Sequence, residues 1–216
     1  MSYPLNYPTP QNANVQIFNR NTGSSGSQSP TQTWVKPQGA SFVWFTLIGG
    51  GSAGDGTTGG GSGAVTNFMC PAFLIPDSLS IAVGVLGTTD TYIWYQYGTQ
   101  ILTASGGSGS SGGQSAANNF FTAMGFFQSV SGQNGSASNI NASSTIFLSG
   151  GGASTSNQIS NYGYTTGSTG NRNGFFQMQP IIVGSGGMGT GRGGIGCGGG
   201  VNVGSGGPGL AVIITW

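Results

Sequence analysis

Short runs of apolar and β-branched residues, each closed by Gly, Pro, Ser or Asn, recur along the whole chain. No long window keeps an apolar period near 3.6, because glycine or serine interrupts every candidate helix. Strands are therefore expected at Val15–Phe18, Thr33–Lys36, Ser41–Ile48, Leu79–Val85, Thr91–Tyr97, Gln100–Ala104, Thr145–Leu148, Pro180–Val183 and Leu210–Trp216. The pattern predicts an all-β protein, a β-sandwich or jelly roll. Residues 1–30 are read as an extended N-terminal arm for docking or assembly, and 31–216 as a single glycine-rich β domain.

Between the strands lie tracts such as "GGGSAGDGTTGGGSG", "SGGSGSSGG" and "SGGGASTS". Two readings compete: flexible linker, or glycine required because backbones approach closely. Single inserted residues, among them Ala64, Met188, Arg192, Ile195, Cys197 and Val201, and the recurrence of the tracts along the chain favour the ordered reading. A partial three-residue spacing at Gly193, Gly196 and Gly199 suits extended polyglycine-type helices packed side by side. Such a layer would let the apolar run "LAVIITW" serve as a central strand pinning the last tract.

Composition narrows the class. With 45 glycines, an apolar fraction of 36% and a net charge of +1, the chain is apolar enough to collapse, unlike a disordered segment. Nine prolines and an irregular glycine pattern exclude collagen. Arg20, Lys36, Arg172 and Arg192 are too few and too scattered to build a multi-phosphate surface, so no nucleic-acid partner is expected. Low charge favours association, hence an assembly subunit. The start has no secretory-signal pattern, and the longest apolar runs fall below the roughly 20 residues of a membrane helix, so a soluble product without a membrane span is expected. Cys70 and Cys197 are read either as one disulfide or as two buried thiols.

"WVKPQGASFVWFTLIGGGSAGDG", then "IPDSLSIAVGVLG" and "YGTQILTASGGSG", and finally "GGPGLAVIITW" succeed one another in order. This succession resembles the glycine-rich domain of bacteriophage tail-fibre, adhesin and virion surface proteins. The likeness covers roughly 33–216, with 114–179 similar only in being rich in Gly, Ser and Asn. It implies a virion surface location, host attachment through glycine-rich loops and a homo-oligomer, with a trimer in keeping with the family. Such domains in tail fibres often follow a long stem, whereas only about thirty residues precede this one. A short arm suits a small, separate surface subunit.

Catalytic chemistry finds little to work with. There is no histidine and no glutamate, so histidine triads and histidine metal sites cannot be built. "GSGGMG" at 184–189 matches a dinucleotide fingerprint, but it runs on into more glycine, and no acidic residue occurs after Asp90. Asp55, Asp77 and Asp90 each sit in a turn-like context. The expectation is a protein that is not an enzyme, with no cofactor and no metal.

Aromatic residues supply the candidate binding sites. Alternation in "YIWYQY" puts Tyr92, Trp94 and Gln96 on one face and Ile93, Tyr95 and Tyr97 on the other; one face is expected in the core, the other as a platform for a sugar ring or another subunit. Phenylalanine pairs at Phe120, Phe126 and Phe175 are expected to anchor loops to the core. In "SNYGYTTGSTGNRNG", Tyr162, Tyr164, Asn171 and Arg172 sit among Ser, Gly and Asn, the residues of adaptable recognition loops. Val15, Ile17 and Phe18 in "NVQIFN" are assembly candidates. Two functions are favoured by these residues over a third, an ice- or surface-binding protein presenting a regular polyglycine face. One is a bacteriophage structural protein on the particle surface, with other virion proteins, copies of itself and a host-surface glycan or protein as partners. The other is a self-assembling extracellular filament or matrix subunit, in which "NVQIFN" adds as a strand to a neighbour's sheet edge.

Overall fold

In the computed structural model, residues 13–19, 31–85, 90–95, 99–116, 125–136 and 192–216 are described. Their strands are β1 (Asn14–Asn19), β2 (Gln32–Val35), β3 (Phe42–Ile48), β4 (Val65–Pro71), β5 (Ser78–Ala82), β6 (Thr91–Tyr95), β7 (Thr99–Ala104), β8 (Phe126–Val130) and β9 (Leu210–Thr215), with one short 3-10 turn at Ala72–Leu74. A five-stranded sheet in the order β1-β9-β3-β4-β8 faces a four-stranded sheet in the order β2-β5-β6-β7. Every pairing is antiparallel. The protein is an all-β sandwich.

Alternation along the strands explains the layering. Val43, Phe45 and Leu47 of β3, Phe68 of β4, and Ala211 and Ile213 of β9 point inward. They meet Trp34, Leu79, Ile81, Ile93 and Leu102 of the other sheet. Trp34 packs edge-on against Phe45 across the interface, with ring centroids 6.0 Å apart. On the outer face of the larger sheet a second cluster gathers Ile48, Val65, Leu210 and Val212, with Ile195 packed against it. β9 is thus covered on both faces over much of its length, as its unbroken apolar sequence requires.

β4 and β8 fall outside the expected strands. "VTNFMCP" breaks its apolar run with Asn and ends in Pro, and it becomes a strand because β3 pairs with it from Phe42↔Pro71 to Ile48↔Val65. Of the pair at Phe126 in "FFQSV", Phe127 packs on the core as expected, whereas Phe126 itself is 54% exposed. Phe120 and Phe175, and the strands expected at 145–148 and 180–183, lie outside the described residues.

The sheets do not stop where their ladders stop. β3 runs into residues 49–54, which turn and return through 59–64 into β4. Residues 105–113 follow β7, 131–136 follow β8, and 204–209 lead into β9. Because Ile48 pairs with both Val65 and Leu210, and Val65 with Val130, these tracts leave the larger sheet at one pole. The tract after β7 joins them there, with Ala64 N–H donating to Ser105 O at 2.8 Å.

Along 59–64 the amide donors turn through three neighbours with a period of three. Gly59 and Ser62 donate to Ser136 and Gln133, at 3.0 and 2.9 Å. Gly60 and Gly63 donate to Gly199 and Gly196, both at 2.8 Å, and Gly61 and Ala64 to Gly109 and Ser105, at 2.9 and 2.8 Å. The tract 49–54 repeats the pattern: Gly49 and Ser52 donate to Ala64 and Gly61, Gly51 and Gly54 to Gly207 and Gly204. An extended helix of three residues per turn aims successive donors about 120° apart, so each tract can bond to several others at once, as a flat strand cannot.

Side chains are excluded where the tracts touch. A Cβ on Gly61 would overlap the carbonyl of Ser111, and one on Gly51 the carbonyl of Cys197. Serine is admitted where its hydroxyl joins the bonding: Ser62 Oγ accepts from Gln133 N–H at 2.7 Å, and Ser52 Oγ donates to Gly61 O at 3.2 Å. Of the inserted residues, Ala64, Cys197 and Val201 are buried and Arg192 is exposed; Met188 lies outside the described residues.

Gly61→Ala should cost about 3 kcal/mol in urea denaturation, because backbone must move to admit the methyl group. Gly56 has φ +93° with open space at its Cβ position, so Gly56→Ala should cost only about 1 kcal/mol of backbone strain. Equal losses for the two variants would contradict the close packing at Gly61.

Candidate binding surfaces

The glycine pole is closed by turns. Between the first two tracts, the Asp55 carboxylate accepts from Thr57 N–H (2.8 Å), Thr58 N–H (2.7 Å), Thr57 Oγ1 (2.8 Å) and Thr58 Oγ1 (3.0 Å). These bonds, the one from the Thr58 amide foremost, hold its carboxyl well below the usual carboxylate range. Asp55 is a turn-locking residue. A depressed folded-state pKa means that this contribution is complete above the ordinary carboxylate pKa and is lost as pH falls through the lower folded value.

Neighbouring turns meet this one. Gly56 N–H donates to Val201 O at 2.7 Å, Gly135 N–H to Ser110 O at 2.8 Å, and Ser108 pairs with Ser111. Val203, at φ 61° and 72% exposed, stands out from the 201–203 turn. Asn134 Oδ1 accepts from Gly112 N–H at 2.8 Å. Besides the Val203 side chain, the described turns here present hydroxyls, amides, glycine backbone and the Asp55 carboxylate.

Trp94 lies on a different surface. Ile93 faces the core, so Tyr92 and Trp94 point away from it on the outer face of the smaller sheet. Their rings stack at 5.3 Å and 15°. Trp94 sits in a row running Thr33, Ser80, Trp94, Gln100 across the four strands, so hydroxyls and an amide flank the indole. Tyr92 Oη donates to Asp90 Oδ2 at 2.6 Å, and Gly106 N–H donates to Asp90 Oδ1 at 2.7 Å. Asp90 thereby ties β6 to the start of the third tract, a role its turn-like sequence context did not reveal. Burial, and secondarily the Asp90 bond and charge, push the Tyr92 phenol up to about 12.

The assembly candidates form β1, which pairs with β9 of its own chain from Asn14↔Thr215 to Asn19↔Leu210. The strand expected to join a neighbour's sheet is here the edge strand of the chain's own. Phe18 is buried in the core, while Val15 (44% exposed) and Ile17 (52%) face outward. Tyr162, Tyr164, Asn171 and Arg172 lie outside the described residues, as does the 184–189 glycine motif.

The cysteines and Asp77 also find their places. Cys70 and Cys197 are buried thiols with no disulfide between them, and burial pushes the Cys70 thiol up to about 11. Asp77 is paired with Lys36 Nζ at 2.7 Å; the same ammonium donates to Ala72 O and Ile75 O, clamping the 3-10 turn onto the end of β2. Among the described residues no helix is long and apolar enough to cross a membrane. Compared with known proteins, the chain matches no protein-family model and no curated protein.

The Tyr92 phenol should titrate near pH 12 in ultraviolet difference spectra. In Asp90→Asn the midpoint should fall yet stay above the ordinary tyrosine value of about 10, because burial is the larger cause. Tyr92 keeps its proton more tightly in the folded state, so its contribution is complete below about pH 10 and disappears as pH rises through the folded value.

Proposed function

We propose that the protein is a bacteriophage structural subunit on the particle surface that contributes to host attachment through loops at its glycine pole. The observation that carries this reading is the laterally bonded glycine bundle, which extends the sandwich and ends in exposed turns with little charge. A surface built this way recognises by shape, hydrogen bonds and stacking, and charge steering contributes little. The ordered blocks behind the family resemblance supply β3 with the first tract, β5, β7 with the third tract, and the last tract with β9. On this reading the partners are other virion proteins, further copies of the chain in a trimer, and a host-surface glycan or protein reached by the pole and by Tyr162, Tyr164, Asn171 and Arg172.

A second reading, a self-assembling extracellular filament subunit, is favoured by β1. This edge strand shows Val15 and Ile17 outward, and an open edge is a template for another chain.

Peptide mass spectrometry on gradient-purified particles separates the two. The attachment reading expects the chain to co-sediment with the major capsid protein at fixed stoichiometry. Recovery in a fraction free of capsid protein would overturn it and favour the filament.

A further inference from the structure

The outer face of the larger sheet carries a row of apolar side chains that crosses all five strands. Register sets Val15, Ile214, Trp44, Met69 and Phe126 side by side, on β1, β9, β3, β4 and β8 in turn. Their chain neighbours Ile213, Phe45, Phe68 and Phe127 pack on the core, so this row points the other way. On the side away from the glycine pole, Phe42 and Trp216 stack on the same face with ring centroids 6.0 Å apart.

The chain covers only part of this face. Towards the glycine pole, Ile195 packs over the cluster of Ile48, Val65, Leu210 and Val212. Away from that pole the face opens: Val15, Ile17, Phe42 and Phe126 are exposed, and Trp44, Met69, Ile214 and Trp216 are half-buried. Its chemistry suits a protein surface. The five strands carry no charged side chain. Aromatic residues and Met, which fill the open rows, are enriched in the cores of protein interfaces, where Lys, Glu and Asp are depleted. The next row is more polar and makes a rim: the Thr46 hydroxyl donates to Asn67 Oδ1 at 2.8 Å, and Gln128 is exposed beside them.

We infer that this face is where copies of the chain pack on one another. Five strands about 4.8 Å apart, with rows about 7 Å apart, give the open part a span of roughly 24 by 17 Å. Two such corrugated faces together bury on the order of 1,000 Å², the area at which specific contacts begin. Copies meeting around a two-fold or three-fold axis bring like surfaces together, and without charge there is no repulsion to offset. The inference does not rest on the attachment reading, since a particle subunit and a filament subunit both meet their own copies. It assigns the contact to a sheet face, whereas the filament reading uses the β1 edge.

The test is size exclusion with light scattering on the full chain at about 10 μM, above a Kd of about 1 μM. The wild type should run at a multiple of its 21.5 kDa chain mass. Ile17→Lys and Phe126→Lys put a charge on exposed sites at opposite sides of the face. Each should weaken association about tenfold or more, because an unpaired charge buried in a contact is costly. Val35→Lys, on the outer face of the smaller sheet, should leave the mass unchanged. If either face variant loses its far-ultraviolet β signal, Val15→Lys or Gln128→Lys on the same strand and face replaces it. A single-chain wild type would overturn the inference, leaving the face to the chain's own residues or to a different partner. So would an oligomer insensitive to both face variants, one equally sensitive to Val35→Lys, or one that responds to a single face variant, Ile17→Lys alone marking the β1 edge as the contact.

Discussion

The structure depends on one contact: the amide of one glycine tract against the carbonyl of another, with no side chain between them. A sheet satisfies its backbone by pairing flat neighbours, but here residues 59–64 bond to three surrounding segments in rotation. At its closest approaches, as at Gly60, Gly61 and Gly63, the arrangement is possible only where Cβ is missing. The energetics explain why it sits on a sandwich. Ordering a residue costs about 1–2 kcal/mol, more for glycine, and a backbone hydrogen bond returns only about 0.5–1.5 kcal/mol net. Lateral bonds alone leave an isolated bundle marginal. Strands rooted in a packed core fix the entry and exit of the tracts, so much of the entropy has already been lost before the bundle forms.

This coupling explains the placement of the apolar closing strand beside the most glycine-rich tract. β9 carries the tract 204–209 and is flanked by β1 and β3. Its inward residues join the main core and its outward ones the cluster capped by Ile195, which comes from the bundle itself. Thr91 reinforces the junction: its buried Oγ1 donates to Ile48 O at 2.6 Å and accepts from Gly84 N–H at 3.0 Å. Gly209 N–H donates to Gly84 O beside it at 2.8 Å. Sheet and bundle are sewn together at the level where one becomes the other. On the proposed attachment reading, this gives the exposed turns a stiff base without calling on charge.

How much of this could be read in the chain depended on the range of the interaction involved. β3, β6, β7 and β9 carry dense β-branched and aromatic runs, and alternation alone assigns the inward face of Ile93 and the outward face of Trp94. β4 and β8 carry weaker local signals and form because neighbours impose pairing on them. The three-residue period was visible at Gly193, Gly196 and Gly199, yet it is most complete along 59–64, where Ser62 and Ala64 interrupt the glycines. There the repeat lies in the direction of the donors, and residue type does not report it. The partnership of Asp90 with Gly106 arises from segments distant in sequence, and nothing in either segment marks its partner.

Amide hydrogen exchange followed by NMR tests the central claim most directly, because it reads the lateral bonds one by one. The account predicts that the amides of Gly60, Gly61, Ser62 and Gly63 exchange as slowly as those of β3 and β9, since they open only when the sandwich does. Exchange of these four at the rate of an unstructured peptide, with β3 and β9 still protected, would contradict it.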